Sequence, residues 1–152
     1  MNRGSDDSRL NRRLTDALYI EAMLLADEAR SYFDGPAEAD RERLEPMARV
    51  GFACESLRVT TRLMHIIAWL LTQRAVDAGE ISPRDALDPT RRLADGPRFD
   101  ADLVAALPIR ARDLIAASAD LHRRVARLDG AQGEAPAASP ARSLHARLAM
   151  SF

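Results

Sequence analysis

The chain has 152 residues, 47% hydrophobic and 30% charged, with a formal net charge of −1, which is enough for one domain with a real core. The near-neutral charge removes any global attraction to nucleic acid or anionic lipid. All 22 basic residues are arginine, so Schiff-base chemistry, a phosphate-loop lysine and a lysine general base are excluded.

The chain opens on a polar, charged stretch, Met1 to Arg13, with no apolar h-region. No secretory signal is read there, and residues 1–12 are expected to be a flexible arm. The first helix is predicted from about Asn11 to Phe33. Leu14, Leu18, Ala22, Leu25, Ala29 and Phe33 fall on one stripe at spacings of three and four. Asp34-Gly35-Pro36 then stops it, because proline cannot continue a helix and glycine suits its end. Ala37 to Glu45 is charged and reads as a short helix or as an extension of the next one.

The second helix is predicted from about Pro46 to Ala78, with Pro46 in the first turn, where its missing N–H costs nothing. Met47, Val50, Cys54, Leu57, Thr61, Met64, Ala68, Leu71, Ala75 and Ala78 alternate spacings of three and four. That is a heptad seam, the period of left-handed bundles. A second apolar stripe, Phe52, Val59, Leu63, Ile66 and Leu70, runs beside it. A helix greasy on that many sides must be covered on more than one. It is either the centre of the bundle or also an oligomer interface. The longest apolar run, Leu63 to Leu71, contains His65 and is too short to span a membrane, which takes about 20 residues.

Gly79, Pro83, Pro89 and Gly96 punctuate the next stretch. Within it Ser82 to Leu87 reads as one capped turn, with Ser82 as N-cap and Pro83 at N1. A last helix is predicted from about Pro108 to Leu128, preceded by a short helical segment at Asp100 to Leu107. Its stripe is Leu107, Leu114, Ala117, Leu121, Val125 and Leu128, and Asp120 can pair with Arg124 one turn on. After Asp129-Gly130 the chain is rich in Ala, Pro, Gly and Ser. Residues 130–152 are therefore expected to be a disordered tail, although Leu144, Leu148, Met150 and Phe152 could form a short amphipathic helix at its end. The predicted organisation is an arm over 1–12, an all-α antiparallel three-helix bundle over 13–129 with a long central helix, and the tail.

Chemistry is scarce. His65, His122 and His145 stand on different elements without metal-ligand spacing, so no metal is expected. Cys54 lies in the heptad seam and reads as a small core residue; as the only cysteine it can form no intramolecular disulfide. Acidic pairs such as Asp6/Asp7 and Asp27/Glu28 are neighbours that do not face each other on a helix. Glu21 and Glu28 read as partners for arginines. The most suggestive constellation is Glu55, Arg58, Arg62, His65, Trp69 and Gln73, which share the one sector of the middle helix free of apolar residues. In one reading Arg58 and Arg62 bridge to Glu21 or Glu28, and Trp69 fills a gap between helices. In the other the strip is an exposed partner-binding face, since Arg and Trp are enriched among interface hot spots.

Two segments resemble a known family. They are Tyr19-Ile20-Glu21-Ala22-Met23-Leu24-Leu25-Ala26-Asp27-Glu28-Ala29-Arg30-Ser31-Tyr32-Phe33 and Cys54-Glu55-Ser56-Leu57-Arg58-Val59-Thr60-Thr61-Arg62-Leu63-Met64, the latter followed by Ala68 to Val76. With Arg124 to Asp129 closing the last helix, residues 14–129 resemble the alphaproteobacterial family called regulator of CtrA degradation. The resemblance implies a dimeric three-helix bundle with a disordered tail. It implies an adaptor that binds the ClpXP protease through a response-regulator-type adaptor and delivers cell-cycle substrates such as CtrA. The expectation is a non-enzymatic cytoplasmic adaptor, one that could be recruited to the cell pole, without cofactor, nucleic-acid or membrane partner. Two rivals remain: a small all-α enzyme of chorismate-mutase type using Arg58, Arg62 and Gln73, and a helical transcription regulator.

Overall fold

The structure, a computed structural model, describes residues 3–96, 98 and 100–134. Three long helices carry the fold: α1 (Arg3–Phe33), α3 (Pro46–Asp77) and α5 (Ile109–Glu134). Two short ones, α2 (Ala37–Glu42) and α4 (Ala101–Ala105), and a 3-10 turn at Asp85–Leu87 lie between them. Among the described residues there is no strand, so the chain is all-α.

The helix ends follow the local chemistry. α1 closes on Asp34 N–H to Arg30 O at 2.9 Å, and Gly35-Pro36 turns the chain into α2. α3 starts with Pro46 in its first turn. It ends on Gly79, whose φ of +74° suits a residue without Cβ. Gly79 N–H reaches Val76 O at 3.0 Å and Glu80 N–H reaches Ala75 O at 2.9 Å, so two otherwise orphaned carbonyls are satisfied. Ser82 caps the 3-10 turn as the sequence predicts, accepting from Asp85 N–H at 3.0 Å.

The bundle's direction is readable from its contacts. Asp16 meets Arg74, and the rings of Phe33 and Phe52 sit 5.9 Å apart, so α1 runs antiparallel to α3. Glu21 meets Arg124, and Arg110 lies over the Tyr32 ring at 4.8 Å, so α1 also runs antiparallel to α5. α3 and α5 therefore run parallel, as Arg62–Ser118, Trp69–Asp129 and Gln73–Gln132 bear out. A parallel pair needs a crossover as long as the helix. α3 is about 48 Å at 1.5 Å per residue, and residues 78–108 make the return. Arg92 touches Asp129, His122 touches the carbonyl of Ala94, and Leu103 of α4 crosses α3 at Gly51. A Cβ on Gly51 would come within 2.8 Å of Leu103, so the glycine permits this crossing.

Two boundaries differ from expectation. The stretch expected as an arm is helical from Arg3, because no Gly or Pro interrupts it between Ser5 and Phe33; residues 3–14 are all exposed. α5 continues through Gly130 to Glu134. The remaining residues of the expected tail, 135–152, lie outside the described residues.

The core is formed by Leu18, Ala22 and Tyr32 of α1, Val59, Leu63, Ile66 and Leu70 of α3, and Leu114, Ile115, Leu121 and Val125 of α5. Tyr32 is the one phenol buried in it, and it donates to Asp40 Oδ2 at 2.8 Å, holding α2 against α1. Burial, then the hydrogen bond to Asp40 and its charge, push the Tyr32 pKa far above its ordinary 10.0, with Arg110 opposing. The folded chain thus keeps a proton that the unfolded chain releases from about pH 10 upward. This contribution to stability is complete below about pH 10 and is lost as pH rises above it. Tyr32→Phe is expected to cost about 1 kcal/mol at neutral pH and to flatten the alkaline limb of stability, read by denaturant melts across pH.

Candidate interaction faces of the long middle helix

α3 presents two faces that the sequence marks as special, and the structure exchanges their roles. The polar strip points inward. Glu55 is 1% exposed and Arg62 2%, and Trp69 and Gln73 are buried as well. Only Arg58 and His65 are half-exposed. Of the six residues expected on a partner-binding face, Glu55, Arg58, Arg62, His65, Trp69 and Gln73, four are thus buried within the fold. Arg62, Trp69 and Gln73 are bonded to α5, and Glu55 is buried beside Arg58. The physical reason is that α5 offers polar partners at matching heights. Arg62 Nη1 donates to Ser118 Oγ at 2.7 Å, Trp69 Nε1 to Asp129 Oδ1 at 2.9 Å, and Gln132 Nε2 to Gln73 Oε1 at 2.8 Å.

Glu55 anchors the other end of the strip. Arg58 Nη1 donates to its Oε1 at 2.5 Å. Burial pulls the Arg62 pKa below its ordinary value, Glu55 opposes this, and Arg58 adds to it. The bridges expected from Arg58 and Arg62 to Glu21 or Glu28 do not form. Glu21 instead accepts from Arg124 of α5, which also donates Nε to Asp120 Oδ2 at 3.0 Å. That α5 pair is the one predicted from spacing. Trp69 does fill the space between helices, as the alternative reading has it.

Sequence reasoning missed the α5 half of this ladder. Ser118 is fully buried and also donates to Ile115 O at 3.0 Å. Asp129 gathers three elements: it accepts from Trp69 of α3 and from Arg92 Nε at 2.7 Å, and its carbonyl accepts from Arg92 Nη2. The available signal was slight: Ser118, Asp129 and Gln132, spaced 11 and 3 apart, fall on one side of α5.

The heptad seam points outward. Met47, Val50, Leu57, Met64 and Leu71 are between 47% and 79% exposed, and Cys54 with them is exposed. The core side of α3 is the second stripe, Phe52, Val59, Leu63, Ile66 and Leu70. The expectation that Cys54 is a core residue is corrected with the seam. On α1, Ile20, Met23 and Leu24 are exposed too. Arg74 pairs with Asp16 at 3.7 Å and stacks 4.6 Å above Tyr19 where α1 and α3 meet. Scattered surface apolars are ordinary, but a stripe of about 36 Å at unbroken heptad spacing makes this face of α3 the candidate interaction surface.

A cleft of about 260 Å³ lies elsewhere, between Phe33, Ala37, Glu38 and Arg41 on one side and Phe52, Ala53 and Ser56 on the other. It contains neither Arg58 nor Arg62. Among the described residues no three His, Cys, Asp or Glu side chains come close enough to share a metal ion, and no helix is long and apolar enough to cross a membrane.

With this geometry in hand, comparison with known proteins is informative. A search of curated proteins gives no match. Among solved structures, RcdA from Caulobacter crescentus CB15 is 37% identical, with a TM-score of 0.63, over 76% of this chain and 88% of that one. The family described as "Protein of unknown function (DUF1465)" matches residues 6–152. The chain therefore belongs to the DUF1465 family, which is the RcdA-like family.

Proposed function

We propose that this protein is a non-enzymatic adaptor of regulated proteolysis that works as a homodimer. In this reading it delivers CtrA-like cell-cycle substrates to the ClpXP protease through a response-regulator-type adaptor. The observation that carries the proposal is the exposed heptad stripe of α3. An apolar seam at spacings of three and four is built to receive another helix, and no helix of the same chain occupies it, among the described residues. The relation to RcdA and the sequence resemblance point to the same role. Bringing substrate and protease to one scaffold raises their effective mutual concentration without any chemical step.

The inward strip is consistent with recognition in place of catalysis. A bundle enzyme of chorismate-mutase type would aim Arg58, Arg62 and Gln73 into an enclosed cleft; here Arg62 donates to Ser118 and Gln73 accepts from Gln132, both on α5. Reconstituted degradation tests the proposal. ClpXP, the response-regulator-type adaptor and a CtrA-like substrate should degrade the substrate faster when this protein is added. Leu57→Glu with Met64→Glu, both at exposed positions, should abolish the acceleration while leaving the helical circular dichroism of the fold in place. Degradation that ignores the protein sinks the proposal.

A further inference from the structure

The outer side of α1 carries further exposed apolar side chains. Ile20, Met23 and Leu24 are exposed there. From Leu14 to Ala29, α1 holds four acidic residues and no basic one; Asp16, Glu21 and Asp27 pair with Arg74, Arg124 and Arg30, which leaves Glu28 as the carboxylate of this stretch without an ion pair among the described residues. The C-terminal segment has the opposite character. From Ala135 to Phe152 it holds Arg142 and Arg147 and no acidic residue, and Leu144, Leu148 and Phe152 recur every four positions. The two also start close together. Gln132 bonds to Gln73 one residue from Arg74, which pairs with Asp16. The eight residues 135–142 can span up to about 27 Å. Ile20 to Glu28 is only about 12 Å of helix.

We propose that residues 143–152 dock in cis on the outer face of α1. Leu144 and Leu148 lie against Ile20 and Leu24, and Arg147 lies toward Glu28. A ten-residue helix is marginal alone in water, so this segment orders only against such a surface. The contact covers apolar area that would otherwise face solvent, and it places the segment where a macromolecular partner of α1 would have to displace it.

The test uses the full-length chain carrying Cys54→Ser and Ser151→Cys, with a nitroxide on the new thiol. The expected result is loss of the Ile20 and Leu24 methyl signals, restored on reducing the label. Broadening should be strongest at Ile20 and Leu24 and weaker at the Met47, Leu57 and Met64 methyls of the neighbouring α3, so its centre separates this contact from association along α3. Leu148→Asp in the tail, which cannot unfold the bundle, should restore the α1 signals. Three results overturn the proposal: unbroadened α1 methyls, broadening centred on the α3 stripe, or broadening of α1 that appears only between labelled and unlabelled copies.

Discussion

Trp69→Ala is expected to destabilise the protein by about 3–5 kcal/mol, the range for truncating a large buried aromatic. Trp69 is 3% exposed and sits where α3, α5 and the return connection converge. Its removal empties the space between the two parallel helices. It also takes one hydrogen bond from Asp129, which keeps its contacts with Arg92. Trp69→Phe separates these effects. It retains most of the volume and loses only the indole N–H, so it should cost about 1–2 kcal/mol. Urea melts followed by circular dichroism check both. Equal, small losses would mean that Trp69 is not the joint between α3 and α5.

Arg62→Met should be nearly as damaging, about 3–5 kcal/mol, because it removes a buried guanidinium that donates to Ser118 and whose charge offsets the buried Glu55 carboxylate. Arg58 still reaches Glu55, so the lower end of that range is expected. The informative variant is the double one, Arg62→Met with Glu55→Met. Replacing both buried charges by apolar side chains of similar length should return most of the lost stability. A double variant as unstable as the sum of its singles would show that the two residues act independently. Whether the pair also specifies the alignment of α3 with α5 can be read from the same double variant: a stable fold with broadened core resonances would reveal lost uniqueness.

Most of the helix boundaries were legible because they rest on local chemistry. Asp34-Gly35-Pro36, Pro46, Gly79 and Ser82 each act through their own backbone or side chain. The direction in which α3 faces was not legible. Its apolar residues cover most of its circumference, so periodicity finds two stripes and cannot rank them. The more regular stripe, Met47 to Leu71, is the one left outside. Deciding between them required knowing that α5 carries Ser118, Asp129 and Gln132 at heights that satisfy Arg62, Trp69 and Gln73. That match is tertiary, between residues about 56–60 positions apart, and no local pattern contains it. The parallel course of α3 and α5 had a quieter signal. Residues 78–108 are too many for a tight helix–helix turn, and a returning crossover uses that length.

The candidate surface follows from the same inversion. Arginine, tryptophan and glutamine are attractive as recognition residues because of their types, yet Arg62, Trp69 and Gln73 are buried and bonded to α5. The plain apolar residues of the seam, which look like core in any one-dimensional reading, are exposed in their place. The most direct test is the solution mass of the wild-type chain and of Leu57→Glu/Met64→Glu, by light scattering at matched concentration. The account predicts a dimer for the first and a folded monomer for the second, with its helical circular dichroism unchanged and a melting temperature equal to that of the wild type diluted to its monomer. A wild-type monomer, or a variant that unfolds because those side chains were holding the bundle together, would contradict it.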